Sequence, residues 1–205
     1  GAAEMTICSV GVAAFDRVGA MSRRNDDYSM TPQPFDKNRD GLVMGEGAGI
    51  LVLETETHAK KRGANILAEL AGYGATADAY HVTAPHETGA GGAAAMKMAL
   101  ESARASVDEL GYINAHGTGT SLNDQSETRA VKAAFGEQAY KIPISSTKSM
   151  TGHMMGATGA LEAIFCVQAI RDGLLPPTVH YETPDPECDL DYIPNKAREK
   201  KITLA

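Results

Sequence analysis

Short apolar segments suited to strands alternate with helical segments along most of this chain, and this alternation limits the possible folds more than any other feature. Strands are predicted at 42–54, 66–73, 111–115 and 142–145, and helices at 55–62, 89–105, 123–135 and 155–170. Gly63 is the expected glycine after the first of these helices, and Asn123 and Asp124 are the expected caps of the third. The early carboxylates Asp124 and Glu127 also suit the positive end of that helix dipole. Residues 2–21 have loosely helical apolar spacing, 22–41 resemble a long ordered loop, and 201–205 resemble the start of a strand. Such alternation indicates an α/β fold with a largely parallel sheet.

The composition excludes several classes of protein. The 26 acidic residues exceed the 19 basic ones, and the net charge of −7 argues against electrostatic binding of nucleic acid. No apolar run of about 18 residues and no signal-peptide pattern occur, so we expect neither a membrane protein nor an exported one. Three cysteines without CxxC spacing suit a reducing compartment, so we expect a cytoplasmic protein.

Glycine is clustered in three segments, MGEGAG, HGTGT and TGHMMGATGA, where it lets the backbone approach another chain segment or a ligand closely. The second cluster contains His116, directly after the predicted strand 111–115. Functional side chains of α/β folds gather at the carboxyl ends of strands, so His116 is a candidate catalytic residue. The alternative is a histidine that is simply hydrogen-bonded inside a turn.

A second candidate group follows the predicted strand 142–145 and contains Lys148 and His153. Glu162 is the only formal charge in the apolar helix that comes next. A buried carboxylate is costly unless it is paired, so Glu162 is the candidate counter-charge of Lys148. The alternative is a surface lysine and an unrelated, exposed glutamate.

Two neutral imidazoles directed at one oxygen would stabilise an enolate or oxyanion, and a nearby lysine cation would help to keep them neutral. This combination favours carbanion chemistry on a thioester. A zinc site is not predicted, because His116 and His153 have no HExxH or CxxC companion. A pyridoxal lysine at Lys148 is possible in principle, but no phosphate cradle accompanies it.

Several motifs together resemble the β-ketoacyl-[acyl carrier protein] synthases of the type II elongating kind. They are PFDKNRDGLVMGEGAGILVLE, GYINAHGTGT, LNDQSET, SSTKSMTGHMMGATGALEAIF and CDLDYIPN. The resemblance implies a thiolase-like fold, in which two similar α/β halves form five layers, αβαβα, and a homodimer. It also implies condensation of a cysteine-bound acyl chain with malonyl-carrier protein, with release of carbon dioxide.

The resemblance also assigns roles to individual residues. It makes His116 and His153 the two histidines of malonyl decarboxylation and condensation, Lys148 the lysine that organises the site, and Glu162 its partner. The threonines that contact the phosphopantetheine arm of acyl carrier protein would be Thr118, Thr120 and Thr83. No other cofactor and no metal are implied.

Two motifs of the family are missing from this sequence. The nucleophilic cysteine would precede the chain and a glycine-rich closing motif would follow it; none of Cys8, Cys166 and Cys188 is assigned as the nucleophile. We therefore expect 1–41 to be the end of the preceding half with a connecting loop. Residues 42–205 would be a C-terminal half that is truncated before its last strands and that needs the missing N-terminal half as a partner.

The predicted function is decarboxylative Claisen condensation in fatty acid elongation, in which this chain supplies the two histidines and the lysine. The predicted external partner is acyl carrier protein. The alternative is a non-catalytic, chain-length-determining subunit or an inactive structural fragment of such a synthase.

Overall fold

A computed structural model describes residues 1–205, in which short strands alternate with longer helices. The strands are β1 (Ala2–Glu4), β2 (Gly47–Gly49), β3 (Ile113–Asn114), β4 (Ile144–Ser145), β5 (Leu174–Leu175) and β6 (Arg198–Glu199). The helices are α1 (Ser9–Val18), α2 (Glu56–Lys61), α3 (Ala90–Ala103), α4 (Ser121–Phe135), α5 (Lys148–Thr151) and α6 (Met155–Asp172). None of these helices combines the length and the apolar character needed to cross a membrane.

The strands pair in twos, and only one of the pairs is parallel. β3 and β4 are parallel with Ile113 opposite Ile144, whereas β1 pairs antiparallel with β2 and β5 antiparallel with β6. The prediction of a largely parallel sheet is therefore correct only for β3 and β4. Their connection contains α4, which returns the chain to the same end of the sheet, as a parallel pair requires.

Two predicted strands are shorter than expected or absent. Within 42–54 only β2 forms, and the run that follows it remains exposed, with Ile50 80%, Val52 79% and Leu53 73% accessible. Residues 66–73 form no ladder. An apolar run becomes a strand only where a neighbouring strand accepts its hydrogen bonds, and neither run has such a neighbour in this chain.

The helices agree better with the sequence. α2 ends with Gly63 at φ +71, in the left-handed conformation expected after a helix, and α3 and α6 lie within two residues of their predicted bounds. In contrast, α4 begins at Ser121 after the N-cap residue Thr120, so Asn123 and Asp124 are not its caps. Their side chains instead form hydrogen bonds with Phe35, Gly119 and Glu127.

The glycines of MGEGAG allow α6 to pack directly on β2. A Cβ atom at Gly47 would lie 2.7 Å from the Met154 sulfur, and one at Gly49 would lie 3.1 Å from the Ala160 Cβ. Larger residues would push α6 away from the strand. The glycines thus fix the position of α6, which carries Glu162.

The main core lies between α4, the β3 and β4 pair and the irregular tail. Its members include Phe35, Val131, Ile144, Leu190 and Tyr192, all of them buried. The rings of Phe35 and Tyr192 stack with centroids 4.0 Å apart. The core also includes Ala115, so it packs against the start of the loop that follows β3.

Candidate active site

His116 lies in the tight loop 115–120 that joins β3 to α4. Gly117 has φ +36, and a Cβ atom there would lie 2.5 Å from the Cβ of Ser146 and 2.9 Å from the Phe35 ring. The loop can approach the core only because this residue has no side chain. Gly117 therefore determines how closely the backbone beside His116 approaches Ser146 and Phe35.

His153 lies between α5 and α6 and is held by main-chain pairing with a distant segment. Its N–H donates to the Val43 carbonyl at 2.7 Å, and its own carbonyl accepts the Gly45 N–H at 2.9 Å. On the ring, Nδ1 accepts the N–H of Met155 at 3.1 Å. An imidazole nitrogen that accepts cannot carry the proton, so the neutral ring is protonated at Nε2 and can donate from there.

The structure brings the two imidazoles together. The ring centroids of His116 and His153 are 5.2 Å apart, and the rings meet edge to face at 88°. Burial, with a smaller contribution from the charge of Lys148, lowers the pKa of His116 to about 4. Burial and then the charges of Lys148 and His116 lower the pKa of His153 to about 4.

His116 is exposed, whereas His153 is half-buried. Solvent therefore weakens the lowering of the pKa more at His116 than at His153. At neutral pH both rings are nevertheless uncharged. Each can therefore serve as a hydrogen-bond donor without adding a positive charge to the site.

Lys148 and Glu162 form the buried ion pair that the sequence predicts. The Lys148 side chain is 1% exposed, and its Nζ atom lies 2.5 Å from Oε1 of Glu162. Burial raises the pKa of Glu162, and the lysine charge opposes that shift. The ammonium is thus fixed close enough to both histidines to disfavour their protonation.

The three threonines do not form one group. The Thr118 and Thr120 hydroxyls lie 2.8 Å apart and hydrogen-bond to each other in the His116 loop. Thr83 lies in a separate, exposed turn, where its N–H donates to Nδ1 of His81 at 3.1 Å. No hydrogen bond joins Thr83 to the histidine cluster.

Two carboxylates of α4, Asp124 and Glu127, hold the His116 loop. From the sequence they are expected only as favourable charges at the helix end. Glu127 accepts the N–H groups of His116 and Gly117, each at 2.7 Å. Asp124 accepts the N–H of Gly119 at 3.3 Å and that of Phe35 at 2.8 Å. The LNDQSET motif indicates that these two carboxylates can act together, because a spacing of three residues places both on the same side of α4.

A buried polar network extends from Asp124 to the PFDKNRDG motif. Arg39 is buried and lies 3.6 Å from Asp124, and its Nη1 is 2.6 Å from Asp185. Burial raises the pKa of Asp124 to about 6, although its hydrogen bonds and Arg39 oppose the shift. The motif therefore has a structural role, since it anchors the base of the loop that carries His116.

Two of the three cysteines, Cys166 and Cys188, lie in settings that disfavour the thiolate. Burial raises the pKa of Cys166 to about 11, and burial likewise raises the pKa of Cys188 to about 11. Cys8 is exposed at the N-cap position of α1. A thiol of raised pKa is a poor nucleophile at neutral pH, so neither Cys166 nor Cys188 is suited to that role.

Family models match most of the chain. Residues 1–59 match the N-terminal domain of beta-ketoacyl synthases, and residues 67–182 match their C-terminal domain. The chain therefore belongs to the β-ketoacyl synthase family. This result confirms the resemblance seen in the motifs, whereas the predicted boundary between 41 and 42 stays a prediction.

Similar individual proteins are 3-oxoacyl-[acyl-carrier-protein] synthases. The chain is 51% identical over all of its 205 residues to 3-oxoacyl-[acyl-carrier-protein] synthase 2 of Staphylococcus aureus, of which it covers 51%. It is 50% identical over 202 residues to the protein of that name from Coxiella burnetii, of which it covers 49%. The chain thus spans about half the length of these relatives.

Solved structures agree on the fold. A ketosynthase in complex with its type II polyketide acyl-carrier protein has a TM-score of 0.95 and 44% identity, with 98% of this chain and 50% of that one covered. A β-ketoacyl synthase from Burkholderia phymatum has a TM-score of 0.92 and 43% identity, with 98% and 48% covered. These matches confirm the predicted α/β, thiolase-like fold, whereas the five-layer arrangement stays a prediction.

Proposed function

We propose that this chain supplies the oxyanion-binding part of an acyltransferase that condenses an acyl chain with malonyl-[acyl carrier protein] in fatty acid elongation. The observation that carries the proposal is the pair of neutral imidazoles, His116 and His153, with ring centroids 5.2 Å apart. The identity of 51% to a 3-oxoacyl-[acyl-carrier-protein] synthase supports the choice of substrates.

In the proposed reaction the malonyl thioester carbonyl lies between the two histidines. As the bond between the α-carbon and the carboxylate breaks, its electron pair forms an enolate and carbon dioxide leaves. Donors within about 3 Å of the enolate oxygen lower the barrier most where the oxygen gains its charge. The α-carbon of the enolate then attacks the acyl thioester, and the thiolate departs.

His153 is suited to this role because its proton is held in place. Since the Met155 N–H occupies Nδ1, the proton is on Nε2 and is available to the substrate oxygen. Lys148 would act through charge, as it keeps both rings neutral, and Glu162 would act by fixing the ammonium. Lys148 and Glu162 are thus proposed as organising residues.

The acyl nucleophile is proposed to come from outside this chain. Both Cys166 and Cys188 have pKa values raised by burial to about 11, so neither is a suitable attacking thiol. We propose that a cysteine of an N-terminal half, packed against this chain, receives the acyl group. By itself the chain would be inactive in condensation.

The remaining proposals concern partners. Thr118 and Thr120, and with them Thr83, would contact the phosphopantetheine arm of acyl carrier protein, the only prosthetic group proposed. A ketosynthase similar to this chain was solved with its acyl-carrier protein, which supports that partner. We also propose a homodimer in the cytoplasm, as the family resemblance implies.

A second candidate is a chain-length-determining subunit without catalysis. One similar solved structure, with a TM-score of 0.89 and 42% identity, is a ketosynthase/chain length factor. The complete set of His116, Lys148 and His153 favours the enzyme, since a subunit without chemistry has no need of all three.

The test is decarboxylation of malonyl-[acyl carrier protein] by the complete gene product. We expect His116→Ala and His153→Ala each to lower the rate about 10²- to 10³-fold, the usual effect of losing one oxyanion donor. His58→Ala, at an exposed histidine of α2, is the matched control and should keep the full rate. Full activity in either active-site variant, or no decarboxylation by the unmodified protein, would overturn the proposal.

A further inference from the structure

Asn123 lies in the first turn of α4 and contacts both carboxylates that hold the His116 loop. Its Nδ2 atom is 3.1 Å from Oδ1 of Asp124 and 3.4 Å from Oε2 of Glu127. Both neighbours are acceptors, so the amide must present its nitrogen to them. One side-chain nitrogen thus donates its two hydrogens to two acidic groups.

The carboxylate oxygens that Asn123 contacts also bind the loop. Oδ1 of Asp124 accepts the Gly119 N–H, and Oε2 of Glu127 accepts the Gly117 N–H. The amide therefore completes a single hydrogen-bonded unit, here called the α4 clamp, made of Asn123, Asp124 and Glu127. The α4 clamp fixes three main-chain N–H groups of the loop, those of His116, Gly117 and Gly119.

The charge arrangement makes a neutral donor necessary. Burial raises the pKa of Glu127. Burial, with a smaller contribution from the charge of Glu127, raises the pKa of Asp124, so the charge of Glu127 disfavours ionisation of Asp124. The cations that face them come from other elements, Arg39 beside Asp124 and Lys148 beside Glu127. An uncharged amide satisfies both carboxylates without competing with either cation.

We propose that Asn123 is a positioning residue which, by bridging Asp124 and Glu127, holds the His116 loop in the geometry required for enolate stabilisation. This inference rests on the proposed condensation function and adds a residue to it. Asn123 acts through the two carboxylates and the loop N–H groups that they accept. A misplacement of the order of 1 Å at a reacting group can cost about 10²-fold in rate.

The decisive variant is Asn123→Asp, which keeps the size and shape of the side chain but replaces the two N–H donors by a third carboxylate. Repulsion among three carboxylates should displace the loop, so we expect decarboxylation at pH 8 to fall about tenfold or more, mainly in kcat. Towards pH 6 the cluster takes up a proton, and a protonated carboxyl can again donate. The deficit relative to the unmodified protein should therefore shrink as pH falls.

Gln125→Glu is the matched control. It makes the same change from amide to acid two residues away on α4, in a pocket that Tyr80 and Arg129 also line, and Gln125 donates to neither clamp carboxylate. We expect it to keep the activity and pH profile of the unmodified protein. Asn123→Ala removes the donors without adding charge, and it should cause a smaller, pH-independent loss.

A second readout does not depend on catalysis. Hydrogen–deuterium exchange of the peptide that covers residues 113–120 should be faster in Asn123→Asp and Asn123→Ala than in Gln125→Glu, because loop N–H groups lose their fixed acceptors. Unchanged exchange in both Asn123 variants would overturn the inference even if decarboxylation is observed. Faster exchange in a protein that decarboxylates nothing would support the clamp and reject the proposed function. Should Asn123→Asp fail to fold, Asn123→Ala decides by the same two measurements.

Discussion

The N–H of Met155 donates to Nδ1 of His153 at 3.1 Å, which places the ring proton on Nε2. Met155 is the first residue of α6, whose N-terminal N–H groups have no partner within the helix. The start of the helix thereby selects the tautomer of the histidine. Since α6 also carries Glu162, one element sets both the proton position and the ion pair.

The first prediction concerns His153 itself. In His153→Gln the amide nitrogen can occupy the position of Nε2 and still donate, whereas His153→Ala has no donor. We expect the Gln variant to retain more malonyl decarboxylation than the Ala variant, by about tenfold. Equal rates in the two variants would show that donation from Nε2 is not what His153 contributes.

The second prediction concerns the titration of the two rings. Both pKa values lie near 4, below the ordinary 6.5, so each imidazole should remain neutral as pH falls through 6.5 and should protonate only near 4. Nuclear magnetic resonance of the ring C2 protons measures this directly. Lys148→Met should raise both pKa values, because it removes a positive charge. A titration of His153 near 6.5 in the unmodified protein would contradict the prediction.

The sign of the accompanying stability change follows from the same shift. Between pH 6.5 and about 4 the unfolded chain binds protons at His116 and His153 that the folded chain does not. The contribution of these two residues to the free energy of unfolding therefore falls as pH falls through that window and is constant above it.

The third prediction concerns the buried ion pair. Glu162→Gln leaves the Lys148 ammonium, 1% exposed, without its carboxylate and should lower the free energy of unfolding by about 3–5 kcal/mol. Adding Lys148→Met should recover about 1–3 kcal/mol, since the unpaired ammonium is removed. Urea denaturation of the four proteins in this cycle measures the coupling. The exposed pair Lys60 and Glu56 is the control, and Glu56→Gln should have little effect.

The fourth prediction concerns the glycine beside His116. Gly117→Ala combines a φ of +36 with a contact of 2.5 Å to the Ser146 Cβ, whereas Gly63→Ala has φ +71 and open space. The Gly63 variant should cost about 1–2 kcal/mol of unfolding free energy from backbone strain alone. Gly117→Ala should cost more and should also lower decarboxylation, because the loop must move. Equal thermal stability of the two variants would argue against the close approach.

The fifth prediction concerns the exposed apolar run after β2. Ile50, Val52 and Leu53 are each more than 70% exposed, and such surface favours association. We expect the 205-residue chain alone to elute as a larger species in size-exclusion chromatography. Val52→Lys together with Leu53→Glu should reduce association. A cooperative monomer at all concentrations would refute this expectation.

The local patterns of the sequence were sufficient for three of the helices and for the residues that the structure brings together around His116 and His153. Apolar periodicity and capping glycines depend on neighbouring residues, so α2, α3 and α6 lie close to their predicted bounds. A single charge in an apolar helix also indicates that a counter-charge lies nearby, and Lys148 and Glu162 are indeed paired. The glycine-flanked histidines could be recognised by their motifs.

Contacts between distant segments were decided only by the tertiary structure. Asp124 and Asn123 were expected to cap α4, but Asp124 bonds Phe35, 89 residues away, and Asn123 links it to Glu127. The sequence also predicts a strand over 50–53, but this run stays unpaired because no neighbouring strand accepts its hydrogen bonds. A side chain or an N–H group bonds whichever partner the fold brings near, and that choice depends on the packing of the whole chain, which local spacing does not encode.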